Sequence, residues 1–305
     1  MKKIRIGIPR AFMYYRYHIL WKTFFKYLGC KVIISPETNQ KILSLGINNT
    51  IDECCLSYKI YLGHVIYLSN NCDYILISRI CDYGKKDKVC TRFNGTYDVV
   101  KEIIPKKQIL EYDIDYTHFK YEFFEFLKIG FKITKNPFKI IYGYLYGKNK
   151  QRYYDINKNN EEKNKLLKSN KKILILSHFY NINDSFISKY IINYLHNNSI
   201  IPIFSNNLDS KIASKFSEYF SNTLYWKYSK EQIGALYYYK HQINGIIFIS
   251  TYPCGIDSLV NNLAIYKNKD IPILNLTIDE NITELSLETK LESFIDIIKG
   301  ESYEQ

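Results

Sequence analysis

Gly245-Ile246-Ile247-Phe248-Ile249, followed by Ser250-Thr251-Tyr252-Pro253-Cys254-Gly255-Ile256-Asp257-Ser258, is the stretch that decides the fold. A short, continuous apolar run rich in β-branched residues reads as a buried strand. It breaks at Pro-Cys-Gly, and an acidic residue then stands where the first turn of a helix would begin. The same alternation of short apolar runs with longer amphipathic stretches extends along the chain. Strands are predicted at Ile4–Ile8, Lys31–Ile34 and Tyr74–Ser78, with helices around Tyr14–Leu28, Gln40–Leu45 and Asp52–Leu68. In the second half, strands are predicted at Lys172–Leu176, Ile201–Phe204, Gly245–Ile249 and Ile271–Leu276. A βαβα order of this kind belongs to mainly parallel sheets, and the spacing fits two doubly wound, Rossmann-like α/β units.

Composition agrees with two cores. The chain has 305 residues, 46% hydrophobic and 16% aromatic, enough to bury two domains. The polar stretch Lys148–Lys171 has almost no apolar periodicity before Leu166-Leu167, which places a linker at 148–171 between domains 1–147 and 172–305. Phe119–Tyr146, interrupted at Gly130 and Pro137, reads as aromatic-rich helices packed between the domains. Met1–Pro9 reads as an opening strand rather than a signal peptide, and no uncharged apolar run is long enough to span a bilayer. The expected location is therefore cytoplasmic, with no membrane partner. The formal charge is +12, but the lysines are dispersed among many Asn, Ile and Tyr residues, 30 of the last. A basic stripe is what nucleic-acid binding requires, so no nucleic-acid partner is expected. Neither a G-x-G-x-x-G nor a P-loop pattern occurs, which argues against an ATP-driven machine of the P-loop kind.

Ligands of open α/β sheets collect beyond the carboxyl ends of the strands, which directs attention to the residues there. After Lys172–Leu176 come His178, Asn181 and Asp184; after Gly245–Ile249 come Cys254, Asp257 and Ser258; after Ile271–Leu276 come Asp279 and Glu280. If the second half forms one parallel sheet, these face one crevice. Cys254 at a helix start would gain thiolate character from free N–H groups and the helix dipole. Taken alone, a Cys-Gly pair reads more readily as a small buried residue in a tight turn. In the first half, Cys55 opens a helix with Lys59 four residues on, and Cys90 lies in a loop after Tyr74–Ser78. Seven cysteines without a secretory signal point to free thiols or metal ligands rather than a disulfide framework. Cys30 and Cys72 fall at the wrong strand ends and read as structural, with Cys54 and Cys81 as reserve ligands. His64 reads as a packing histidine, and Glu284, Glu288 and Glu292 as a solvated helix face.

These residues sit in a pattern that resembles the acyl-CoA dehydratase activase-related proteins, relatives of the iron–sulfur subunits of 2-hydroxyacyl-CoA dehydratases. The resemblance covers Ile6-Gly7-Ile8-Pro9-Arg10-Ala11, Leu28-Gly29-Cys30, Thr38-Asn39, Asp52-Glu53 with Cys55 and Lys59, and Gly63-His64-Val65. It continues through His178 with Tyr180-Asn181 and Asp184, Leu224-Tyr225-Trp226, Cys254-Gly255 with Asp257-Ser258, Asp279-Glu280 and Leu291-Glu292. It implies two Rossmann-like domains facing a cleft, with one [4Fe-4S] cluster held by Cys55, Cys90 and Cys254 and one iron left open. In the related dehydratases an open iron of this kind binds substrate while a low-potential electron, delivered by an ATP-hydrolysing activator, makes a ketyl radical. The resemblance thus implies a redox partner or ATP-dependent activator protein and an acyl-CoA-like ligand. Arg10, Lys59, His178, Asn181, Asp184, Asp257, Ser258, Asp279 and Glu280 become candidate cleft residues. The chain departs from the family pattern at Ile256, Asn281, Thr283-Glu284-Leu285-Ser286 and Lys290.

Three functions follow as expectations. The first is an electron-carrying or electron-using [4Fe-4S] protein of anaerobic metabolism which, as an enzyme, would be a dehydratase-like lyase or reductase on an acyl-CoA-type substrate. The second is a non-catalytic partner or scaffold subunit that keeps the fold without the substrate chemistry. The third, resting on architecture alone, is a cofactor-free transferase.

Overall fold

The computed structural model describes residues 3–300. Contacts divide the described residues into two compact units, one running to residue 156 and including 225–227, and one of residues 157–224 together with the chain from 228 onward.

The first unit runs β1 (Arg5–Ile8), α1 (Tyr14–Tyr27), β2 (Lys31–Ile34), α2 (Gln40–Ile47), α3 (Leu56–Ser69), β3 (Tyr74–Asp82), α4 (Thr91–Ile103), β4 (Ile109–Asp115), α5 (Glu122–Phe131) and the start of α6 (Pro137–Leu166). Its four strands form a parallel sheet in the order β2-β1-β3-β4. The second unit runs β5 (Lys172–Leu176), α7 (Phe179–Ile182), α8 (Ser185–Asn197), β6 (Ile201–Phe204), α9 (Ser210–Ser217), α10 (Lys227–Tyr239), β7 (Gly245–Thr251), α11 (Gly255–Lys267), β8 (Ile273–Ile278) and α12 (Glu284–Lys299). Its sheet repeats the same parallel topology, β6-β5-β7-β8. Each unit is therefore a Rossmann-like α/β layer, as the sequence pattern predicts.

In this topology the first crossover of each unit winds one way and the later ones return the other way, so helices cover both faces of the sheet. In the first unit, Phe24 of α1 meets Phe126 of α5 at 4.7 Å, and Trp21 meets Tyr112 of β4 at 5.5 Å. In the second, Leu174, Leu176, Ile246 and Phe248 bury one sheet face against Ala213, Ile233, Leu236, Val260 and Ala264 from α9, α10 and α11. Helices α2 and α3 touch backbone to backbone. A Cβ at Gly46 would lie 1.9 Å from the Lys59 carbonyl oxygen, and one at Gly63 would lie 2.0 Å from that of Ile42.

Four features differ from the expectations or add to them. Strand β4 escaped the sequence pattern because Glu111, Asp113 and Asp115 alternate through it, and acidic residues are depleted in strands. The following segment supplies partners to the buried carboxylates, Lys120 to Asp113 Oδ2 at 2.5 Å and His118 to Asp115 at 2.7 Å. Helix α3 begins at Leu56 rather than Asp52, because Cys55 is extended (φ −63°, ψ 148°) and occupies the N-cap. Cys90 ends the loop after β3, where it caps α4. Finally, the polar stretch at 148–171 is helical as far as Leu166, with buried Gln151 and Glu162 as its anchors. Gln151 accepts from the Leu20 backbone N–H at 3.2 Å, and Glu162 pairs with Lys165 at 2.7 Å. The division between units at 156/157 passes through this helix.

No helix among the described residues is long and apolar enough to cross a membrane.

Candidate functional site

The topological switch point of the second sheet lies between β5 and β7, whose crossovers leave in opposite directions and open a crevice beyond their carboxyl ends. His178 follows β5 and Cys254 follows β7. The two strand ends are held side by side by Ser177, whose hydroxyl donates to the Ile249 carbonyl, while Asn181 donates to the Ser177 hydroxyl at 3.2 Å. The chain after β7 is tied to the end of β8 through Tyr252 N–H to the Ile278 carbonyl, 2.9 Å.

On this base His178 is held from three directions. Its Nε2 lies 2.9 Å from Oδ1 of Asp257, which stands in the first turn of α11, where a carboxylate is favoured by the helix dipole. Its Nδ1 lies 2.9 Å from the Gln232 side-chain amide nitrogen. The Tyr180 ring stacks on the imidazole at 4.9 Å. With the Gln232 amide donating, Nδ1 accepts and the imidazole proton sits on Nε2, directed at Asp257. His178, Gln232 and Asp257 are all buried, and Asp257 keeps its second oxygen, Oδ2, without a hydrogen-bond partner. Cys254 is the half-buried N-cap of α11, and its sulfur lies within 4.8 Å of the His178 and Asp257 donor atoms.

The first unit presents its cysteines in the same manner. Cys55 and Cys90 are the N-caps of α3 and α4, and neither side chain bonds to the helix it caps. The two helix starts are joined by Arg92, whose guanidinium donates to the Glu53 carbonyl at 3.3 Å and lies 5.7 Å over the Tyr58 ring. Phe12, in the left-handed conformation (φ +48°), wedges between α3 and α4, 4.9 Å from Tyr61 and 4.6 Å from Phe93. The segment before Cys90 is pinned by Tyr225–Lys227: Lys88 N–H reaches the Tyr225 carbonyl at 2.9 Å and Lys227 N–H reaches the Lys88 carbonyl at 2.8 Å. That gives the Leu224-Tyr225-Trp226 motif a structural task that sequence alone did not reveal.

The remaining cysteines differ. Cys30, Cys54 and Cys72 are buried. Burial pushes the Cys30 and Cys72 thiols up to about 11. Cys81 donates to Asn94 at 2.8 Å, and burial followed by the charges of Asp115 and Asp113 raises it to about 11.

The other candidates are scattered in role. Arg10 follows β1, donates its backbone N–H to the Ser35 hydroxyl at 2.8 Å and reaches Glu37 at 3.3 Å. Lys59 is buried within α3, one turn after Cys55. Asp184 caps α8 by accepting from Phe186 N–H at 2.9 Å, and Asp279 stabilises its own loop through Asn281 N–H at 2.9 Å. Ser258 is exposed in the first turn of α11, and Glu280 follows β8. The structure thus brings together His178, Cys254 and Asp257 and leaves Asp184 and Asp279 as local turn and cap formers. Gln232 escaped the sequence reading; its signal is a polar residue among the buried positions Tyr228, Ile233 and Leu236 of α10.

The fold and these sites define an α/β protein of two Rossmann-like units that presents thiols at helix N-termini along the carboxyl edges of its sheets. Residues 5–208 match the family described as the CoA enzyme activase uncharacterised domain, and the chain belongs to that family. The matched region contains Cys55, Cys90 and His178 and ends before Cys254 and Asp257. No curated protein matches the chain.

Proposed function

We propose that this protein is an iron–sulfur protein of CoA-thioester metabolism, with Cys55, Cys90 and Cys254 as the thiolate ligands of one [4Fe-4S] cluster. The observation that carries this reading is a selection among the seven cysteines. These three, and no others, are N-caps of helices of 13 or 14 residues, and all three are half-buried. A helix N-terminus lowers the cost of a thiolate, and partial exposure lets a ligand reach it, so the donor set fits the group. When bound, such a cluster supplies a low-potential electron and, with three protein ligands, one iron open to substrate. Arg92 contributes by fixing the starts of α3 and α4 together, and Phe12 by packing behind both. His178 and Asp257 place a proton-bearing pair beside Cys254.

The test is to purify the protein without oxygen and measure iron and acid-labile sulfide in wild type, Cys55→Ala, Cys90→Ala and Cys254→Ala. About four of each per chain in wild type, and loss in every variant, is expected. An iron-free, folded wild type after reconstitution sinks the reading.

A scaffold role is favoured by one observation. The segment where the chain departs from the family pattern serves as a helix cap, with the Thr283 hydroxyl accepting from Ser286 N–H at 3.2 Å at the start of α12. Substrate-dependent turnover of an acyl-CoA would exclude that role.

A further inference from the structure

We propose that His178, Cys254 and Asp257 form a site for a single divalent transition-metal ion of the zinc class, with one coordination position left open. The site is built entirely within the second unit and needs neither Cys55 nor Cys90. Because Cys254 can ligate only one occupant at a time, the single ion and the cluster exclude each other at that thiol.

Spacing separates a single ion from a cluster. Around one tetrahedral ion, bonds of about 2.0–2.3 Å put donor atoms roughly 3.5 Å apart. The three donors here lie within 4.8 Å of one another, and His178 Nε2 to Asp257 Oδ1 is 2.9 Å. Closing on an ion therefore requires movements of the donor atoms of about an ångström. Ligands on different irons of a cluster are spaced wider, since the metal–metal separation adds to the two bonds. Chemistry narrows the ion further: a mixed thiolate, imidazole and carboxylate set suits zinc, cobalt or ferrous ions and is a poor match for magnesium or calcium.

Two further features point to a cation as the ligand. Asp257 Oδ2 is buried with no hydrogen-bond partner, although a carboxylate in that setting ordinarily finds a donor or a metal. Gln232 is the second. Metal-bound histidines donate their other ring N–H to an oxygen acceptor, and a glutamine amide turned end for end provides one. On ion binding the imidazole proton passes from Nε2 to Nδ1, the Nε2 lone pair takes the metal, and Nδ1–H donates to Gln232 Oε1. The Tyr180 stack keeps the ring plane throughout. The same geometry argues against a thiol nucleophile with a histidine base, because both ring nitrogens are engaged by Asp257 and Gln232.

The experiment is titration of the full-length, metal-free, reduced protein with Co2+ under argon, followed by absorption. One Co2+ per chain is expected, with a thiolate-to-cobalt charge-transfer band and the intense d–d bands of four-coordination, and Zn2+ should displace it. Cys55→Ala and Cys90→Ala should bind as wild type does, although both abolish the cluster. Cys254→Ala should lose the charge-transfer band. The near-isosteric His178→Gln and Asp257→Asn should weaken binding by more than the roughly 10- to 100-fold typical of outer-shell partners, with unchanged circular dichroism. A wild type that takes up no Co2+, a charge-transfer band that depends on Cys55 or Cys90, or full affinity in Asp257→Asn and His178→Gln would each overturn the proposal. Co2+ bound normally by a chain that never assembles iron and sulfide refutes the cluster reading alone.

Discussion

Acidification from pH 7 to pH 5 should remove about 2 kcal/mol of folding stability through His64 alone. His64 is fully buried in α3, with Nε2 3.0 Å from the Thr38 hydroxyl and Nδ1 without a partner. Burial, reinforced by the positive charge of Arg10, lowers its pKa from 6.5 to about 3. The folded protein therefore holds His64 neutral while the unfolded chain takes up a proton below about pH 6.5. The stabilisation is complete above the unfolded pKa and is lost as pH falls toward the folded one, at up to about 1.4 kcal/mol per unit. Urea unfolding at pH 7.0, 6.0 and 5.0, on wild type beside His64→Gln, isolates the effect, because every other titrating group is common to both. His18, lowered by burial and then Lys22 to about 4, cancels in this way. The wild type should lose about 2 kcal/mol more than the variant between pH 7 and 5. Parallel losses would show that His64 does not titrate between the folded and unfolded states, and the account of its burial would be wrong.

Other outcomes follow from particular contacts. Gly63→Ala should destabilise the first unit by about 3 kcal/mol in urea, since its Cβ would lie 2.0 Å from the Ile42 carbonyl oxygen and α3 must move away. For Asp82, desolvation raises the pKa, but hydrogen bonds from Lys88, Thr117 and the Gly84 backbone outweigh it and hold the group at about 2. Asp82→Asn should therefore cost about 1–3 kcal/mol at pH 7 and remove the stability loss seen in wild type as pH falls from about 4 toward 2. Gln232→Leu should weaken Co2+ binding roughly 10- to 100-fold without removing the thiolate band, as expected of a residue that orients a ligand rather than being one.

Local chemistry made much of this protein legible. Lys31–Ile34, Lys172–Leu176 and Ile201–Phe204 are strands with the bounds expected from their apolar runs, because short runs of β-branched and other apolar residues carry a strand signal within their own few residues. Cys254 stood out for the same reason: a strand, a Pro-Cys-Gly break and an acidic first turn are all encoded within a few residues. Cys90 was legible only as a candidate thiol, since Thr-Arg-Phe-Asn-Gly carries no acidic first-turn signal to announce α4.

What tertiary structure alone decided is which residues meet. Strand β4 carries carboxylates that would otherwise speak against a strand, and Lys120 and His118 from the following segment supply them with partners. His178 and Asp257 are joined because a parallel crossover seats β7 beside β5 and sends β6 to the far side, an ordering that no local propensity contains. Gln232 reaches the imidazole from a third segment, where a single polar side chain on an apolar helix face acquires meaning only through the ring it touches. Burial then makes each of these pairings consequential, since a polar group removed from water must find its partner within the fold.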